Sequence, residues 1–275
     1  MGKFQLVKTT LCCFLLLSGS GFAARLAIVI DDIGYRADDQ KIYNLPKEIS
    51  VAIIPSAPNA MARAKQAKQQ GRDILIHQPM QPKAKMKLEK EGLLLGMSAE
   101  QVANNIEYAR QKVPYAIGLN NHMGSAATAD RTLMTHLMQQ LQRHKLFFLD
   151  SRTIGSSVAS KVARENGVVA LDRHIFLDDS DDYADVQRQF NLSLQYARKH
   201  GTAIVIGHPR KNTIRVLQQG IANLPQDIQL VGMGSLWRNE KVIPPKPFIL
   251  LFNDLPASTS VAPFIKYPLL RGVPE

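Results

Sequence analysis

The stretch Leu26-Ala-Ile-Val-Ile-Asp31-Asp32-Ile-Gly34 decides how the chain is read. A short apolar run rich in β-branched side chains predicts a strand buried on both faces. The two carboxylates that follow have no place in its interior, so they belong at its end. Three further runs repeat the arrangement. Asp73-Ile-Leu-Ile76 leads into His77, Tyr115-Ala-Ile-Gly-Leu119 into Asn120-Asn121-His122, and Thr202-Ala-Ile-Val-Ile206 into Gly207-His208-Pro209. Carboxylates and imidazoles gathered on one rim of a β/α fold can make a metal-dependent site.

Working outward, strands are expected at 26–30, 51–54, 74–76, 115–119, 146–149, 168–171, 203–206 and 229–231. Amphipathic helices are expected at 59–70, 98–112, 130–144, 157–165, 183–200 and 212–220. Regular alternation of the two is the pattern of repeated β-α units. Ser98-Ala-Glu-Gln101 fits a capping box, and Gly71, Gly167 and Gly201 supply helix stops. Seven or eight apolar parallel strands, several buried on both sides, predict an α/β fold built as a deformed β/α barrel, with a doubly wound open sheet as the alternative. In either, sites are built at the carboxyl ends of the strands.

The ends of the chain read differently. Lys3 and Lys8 precede the apolar run 11–17 and the small residues 18–23, the order of a cleaved secretory signal over residues 1–23. That run is shorter than the roughly 20 residues a membrane span needs, so no stable span is expected after cleavage. Cys12 and Cys13, the only cysteines, fall inside it, which leaves a periplasmic protein without disulfides. A barrel domain is expected over 24–236 and a proline-rich tail over 237–275, where Pro244, Pro245, Pro247, Pro256, Pro263, Pro268 and Pro274 stand. Removing Lys3 and Lys8 lowers the formal charge from +11 to +9. The basic residues are scattered over helices such as Arg63-Ala-Lys65, which fits solvated faces and no nucleic-acid site.

Taken together, Ile28-Val-Ile-Asp31-Asp32-Ile-Gly34, His77-Gln-Pro79-Met80, Asn121-His122-Met-Gly124-Ser125, Asp150-Ser151-Arg152, Phe176-Leu-Asp178 and Gly207-His208-Pro209 resemble the divergent polysaccharide deacetylase family, a relative of the NodB-type carbohydrate deacetylases. The resemblance spans roughly residues 25–235 and implies a NodB-like barrel with a divalent-metal site, zinc being the expected ion. Acetamide hydrolysis at neutral pH needs a strong nucleophile and a stabilised oxyanion, and a metal supplies both. One carboxylate and two imidazoles with an open position suit such an ion, which assigns Asp32, His77 and His122 as ligands. The resemblance makes Asp31 the general base and His208 the general acid. Asp150 and Arg152 are expected to orient His208 or a ligand, Asp178 to do likewise, and Asn121 to donate to substrate.

The chain also departs from the better-known enzymes of this kind. Their histidine ligands lie four residues apart, whereas Gln81 stands four after His77, so His122 has to come from another strand. Their arginine-proline-tyrosine segment is missing, with Asn120-Asn121-His122 in its place. Two functions follow. One is a periplasmic metal-dependent deacetylase acting on an acetylated envelope glycan; the other is a non-catalytic glycan-binding or envelope interaction protein on the same barrel. Asp172, His174, Asp178, Asp179, Asp181 and Asp182 lack the glycine and terminal glutamate of a calcium loop, so Asp181 or Asp182 is expected to start a helix. His136, His144 and His200 are expected to face solvent on polar helices. Nothing in the sequence designates a protein partner.

Overall fold

The computed structural model describes residues 23–240. Most of the expected export signal and of the proline-rich tail lies outside the described residues. The strands are β1 (Ala24–Ile33), β2 (Ser50–Ile53), β3 (Ile74–Met80), β4 (Gly118–Met123), β5 (Phe147–Asp150), β6 (Ala170–Asp172), β7 (Ile175–Phe176), β8 (Thr202–Gly207) and β9 (Ile228–Val231). The helices are α1 (Ala60–Gln69), α2 (Ala99–Lys112), α3 (Arg131–Arg143), α4 (Ala159–Glu165), α5 (Tyr183–His200), α6 (Lys211–Ala222) and α7 (Met233–Trp237).

All named strands pair in parallel, in the order β6-β5-β4-β3-β2-β1-β8-β7, with β9 on the first residues of β1. The two ends of this path, β6 and β7, are separated in the chain only by Arg173 and His174. Three peptide steps reach about 10 Å, so the sheet has to curl until its edges meet. Hydrogen bonds cross the seam: Arg173 N donates to Asp150 O at 3.0 Å and His174 N to Ile204 O at 2.8 Å. Thus β6 and β7 are halves of one extended segment that leaves β5 and joins β8. Counted so, eight parallel strands make the deformed barrel, and the open-sheet alternative falls away.

Strand alternation sorts the core into two layers. Leu26, Ile28 and Ile30 of β1 pack outward under the helices, while Ala27 and Val29 join Ala52, Leu75, Phe147, Leu149, Ile204 and Ile206 inside. The amino end of the barrel is plugged. Trp237 of α7 lies 5.7 Å from the Phe147 ring, and Gly118 makes room for that ring, since a Cβ there would come within 2.5 Å of it. Beside the plug, buried Arg72 donates to the carbonyls of Leu45 at 2.9 Å, Pro46 at 2.8 Å and Ile49 at 2.6 Å, and to Gln70 Oε1 at 3.0 Å.

The helix signals act as expected. Ser98 and Gln101 form the reciprocal capping box of α2, and Asp182 caps α5 by accepting from Ala184 N and Asp185 N. Gly71, Gly167 and Gly201 hold positive φ at helix ends, where other residues would be strained. Unexpected are β7, too short to show periodicity, the 3-10 segment Ala37–Asn44, and α7. The polar clusters were expected beyond the strands, yet Asp31-Asp32, His77 and Asn120-Asn121-His122 lie within β1, β3 and β4. They occupy the last turns of the barrel wall.

Candidate metal centre

Alternation also decides which polar residues enter the barrel mouth. Following each inward row upward, Ala27 and Val29 lead to Asp31, Leu75 to His77, Leu149 to Ser151, and Ile204 and Ile206 to His208. On β4, Asn120 stands in register with His77, and His122 with Pro79. Asp32 departs from the alternation through a left-handed backbone, φ 57°, which turns its carboxylate toward the same mouth. Aspartate is among the few side chains other than glycine that adopt this region readily.

Three donor atoms then form a nearly equilateral triangle. Asp32 Oδ1 lies 3.2 Å from His77 Nε2 and 3.0 Å from His122 Nδ1, and the two nitrogens are 3.1 Å apart. Zinc–ligand bonds of about 2.0–2.1 Å at tetrahedral angles place donor atoms about 3.3 Å apart, so the triangle fits one face of such a site. Asp32 Oδ1 is shielded from solvent and makes no well-aligned hydrogen bond among the described residues, its near polar neighbours being the two imidazole nitrogens. An orphaned oxygen facing two imidazole nitrogens is what a cation would satisfy.

The remaining groups flank this face. Asp31 is buried, with Oδ2 3.5 Å from His77 Nε2. His208 Nε2 lies 3.9 Å from Asp32 Oδ2, and its Nδ1 sits 2.8 Å from Asp178 Oδ1. Asp178 Oδ2 also accepts from His208 N at 2.7 Å and from Thr213 Oγ1 at 2.6 Å, so the imidazole is locked in orientation. Burial pushes the Asp31 carboxyl up. Burial also acts to raise Asp32, but the imidazoles of His122 and His77 hold it well below the usual carboxylate range. Burial would depress His77, yet the charges of Asp31 and Asp32 carry it up to about 9. Burial opposes the charged form of His208 as well, and Asp178 outweighs it, so His208 is raised while Asp178 is lowered.

Not every expected residue reaches this mouth. Asp150 follows Phe148 on the outward face; it accepts from Ser157 Oγ at 2.7 Å and Arg152 N at 2.8 Å, with no hydrogen bond to His208 or a ligand among the described residues. Arg152 approaches Asp150 at 3.7 Å and Asp172 at 3.8 Å instead of the imidazoles. Asn121 is also turned out of the mouth. Its amide nitrogen donates to Met123 O at 2.7 Å and its amide oxygen accepts from Ser151 N at 2.9 Å, which ties β4 to the loop after β5. Its neighbour Asn120, fully buried, touches both Asp31 and His77. Period-two counting along β4 from Leu119 and along β5 from Leu149 would have marked Asn120 and Ser151 as inward. His136 and His144, expected in solvent, are half-buried; His200 is exposed.

Above the triangle opens a cleft of about 240 Å³ lined by Asp32, His122, His208, Tyr35, Arg36, Glu89 and Arg210 among others. Gln81, standing where a second histidine would follow His77, accepts from Leu95 N at 2.9 Å and so holds the loop that carries Glu89. His122 on the adjacent strand completes the triangle in its stead. Among the described residues no helix is long and apolar enough to cross a membrane.

Comparison with known proteins fits this geometry. A family model described as divergent polysaccharide deacetylase matches residues 28–237. An uncharacterized protein of Haemophilus influenzae (strain ATCC 51907 / DSM 11121 / KW20 / Rd) is 66% identical over 253 residues, covering 92% of this chain and 90% of the relative. The uncharacterized protein YibQ of Escherichia coli (strain K12) is 45% identical over 250 residues, covering 90% of this chain and 78% of the relative. A crystal structure of an uncharacterized protein from Agrobacterium tumefaciens C58 shares the fold, with a TM-score of 0.74 at 21% identity over 79% of this chain and 90% of that one.

Proposed function

This chain belongs to the divergent polysaccharide deacetylase family, and on that premise we propose that it is a metal-dependent hydrolase removing acetyl groups from an envelope glycan. The observation that carries the reading is the Asp32–His77–His122 triangle with its orphaned Asp32 oxygen, set between a buried carboxylate and a histidine locked by an aspartate. A divalent cation such as zinc, held by those three residues, would acidify water and polarise the acetyl carbonyl.

The protein's own groups do the rest. Asp31, whose carboxyl burial pushes up, accepts a proton from the attacking water. His208, raised by Asp178, holds a proton at Nε2 and delivers it to the leaving amine or alcohol. Asp178 fixes Nδ1 of that ring, so Nε2 faces the cleft. The order of Lys3, Lys8, the apolar run and Ala23 supports export to the periplasm before cleavage.

The test is elemental analysis of protein purified without chelator or metal-charged resin, beside His77→Ala and His122→Ala, followed by acetate release from acetylated glycans. We expect about one zinc per chain, lost in both variants, and release abolished by Asp31→Asn. Failure to take up zinc even when it is supplied would overturn the hydrolase. Zinc without release, with glycan retention equal in wild type and Asp31→Asn, would instead establish the binding-protein reading.

A further inference from the structure

We infer that Asn120 is the positioning residue that joins the base to the metal face: it holds the Asp31 carboxylate with its amide nitrogen and, with its amide oxygen, commits His77 to presenting Nε2. The inference rests on the hydrolase reading above and concerns a residue that its ligand and proton-transfer assignments leave without a role.

Asn120 is fully buried, so its polar atoms must find partners inside the protein. Nδ2 lies 2.9 Å from Asp31 Oδ1, 3.1 Å from Asp31 Oδ2 and 3.2 Å from Ser151 Oγ. Oδ1 lies 3.0 Å from His77 Nδ1. The two ends of a carboxamide can be exchanged on paper, but charge decides between them here. An ionised carboxylate only accepts, so the end facing Asp31 has to be the NH2; the reverse would press oxygen lone pairs together.

That choice propagates. With Nδ2 committed to Asp31, Oδ1 is a pure acceptor toward His77, and Nδ1 of His77 therefore carries hydrogen whether the ring is neutral or charged. The nitrogen left to offer a lone pair is Nε2, the atom in the triangle with Asp32 Oδ1 and His122 Nδ1. The carboxylate of the base thus sets, through one side chain, which nitrogen of the ligand is available. The role requires a group that donates on one side and accepts on the other at fixed reach. Aspartate keeps only the acceptor for His77 and sets a like charge against Asp31; leucine keeps neither function.

The experiment compares the full-length wild type with Asn120→Asp and Asn120→Leu. It measures zinc affinity by chelator competition, kcat and KM with 4-nitrophenyl acetate as the acyl probe, and the histidine 15N spectrum at alkaline pH, where rings are neutral. Asn120→Leu should bind zinc about 10- to 100-fold more weakly, the usual effect of losing a partner behind a ligand. Asn120→Asp should restore zinc affinity to within a few-fold of wild type while kcat stays about 100-fold down at unchanged KM, because the base alone is disturbed. Wild-type zinc affinity in Asn120→Leu would overturn the inference, as would a wild-type spectrum with His77 protonated at Nε2 and not at Nδ1. That spectrum decides the matter even if Asn120→Leu fails to fold. If the wild type takes up no zinc, the hydrolase reading fails separately, and the metal-free spectrum still judges the tautomer.

Discussion

The two ends of the barrel bury charge in opposite ways. At the amino end, Arg72 lies among carbonyl oxygens of Leu45, Pro46 and Ile49, its donors aimed at fixed acceptors and its guanidinium 5.6 Å from the Tyr43 ring centroid. At the carboxyl end, Asp32, His77 and His122 converge on one another, with an oxygen unpartnered and a backbone at φ 57°. A satisfied buried charge organises loops, whereas an unsatisfied one is arranged for a guest. The same fold supplies both, so burial alone does not mark a site; the convergence of an unpartnered oxygen with two imidazole nitrogens does.

The sharpest way to break the comparison is to exchange the consequences of losing each charge. Asp32→Asn should abolish zinc uptake and lower hydrolysis by at least about 1000-fold, since the cation supplies several kcal/mol to the transition state. The thermal midpoint of the metal-free protein should hardly change. Arg72→Met should do the reverse. Leaving three carbonyls without their donor costs about 3 kcal/mol, or a fall in Tm of about 6–12 °C, with zinc stoichiometry and kcat intact. Calorimetry and metal analysis on both variants decide the matter; a large stability loss in Asp32→Asn would erase the distinction.

Two smaller effects sharpen it. Asp178→Asn should reduce kcat about 10- to 100-fold without removing zinc, because it unlocks His208 and touches no ligand. The last concerns pH. His77 is held up to about 9, so below that value the ring carries a proton that a cation must displace from Nε2. Zinc affinity should therefore rise as pH increases toward about 9 and level off above it, with a proton released per ion bound. Titration calorimetry in buffers of different ionisation enthalpy measures that proton, and a flat profile between pH 7 and 9 would contradict it.

Much of this was legible in the sequence, and the failures share one cause. Apolar runs such as Leu26–Ile30 and Ala203–Ile206 announced buried strands because nothing else accommodates so many β-branched residues. The triangle was legible because Asp32, His77 and His122 interrupt those runs. Polarity was taken to end a strand, however, whereas at a barrel mouth ladder pairing continues through polar residues that face inward, as His77 and Asn120 do in register. Treating the clusters as loops discarded the alternation that separates Asn120 from Asn121 and Ser151 from Asp150. The seam strand β7 stayed hidden because two half-buried residues show no period.

That seam gives the molecule an uneven tempo. The Asp32–His77–His122 triangle hangs on β1, β3 and β4, which are paired on both edges, with six residue pairs joining β1 to β8 and six joining β3 to β4. His208 instead leans on a wall whose last part is Ile175–Phe176, held to β8 through a short ladder, with Phe176 stacked 6.3 Å from the His208 ring. Local openings follow the least protected segments. Amide exchange should accordingly be fast at 175–178 and slow at 28–30 and 75–77, so that the His208 side breathes while the Asp32–His77–His122 side keeps still. A rim with uniform protection would show that the seam is as firm as the rest of the wall.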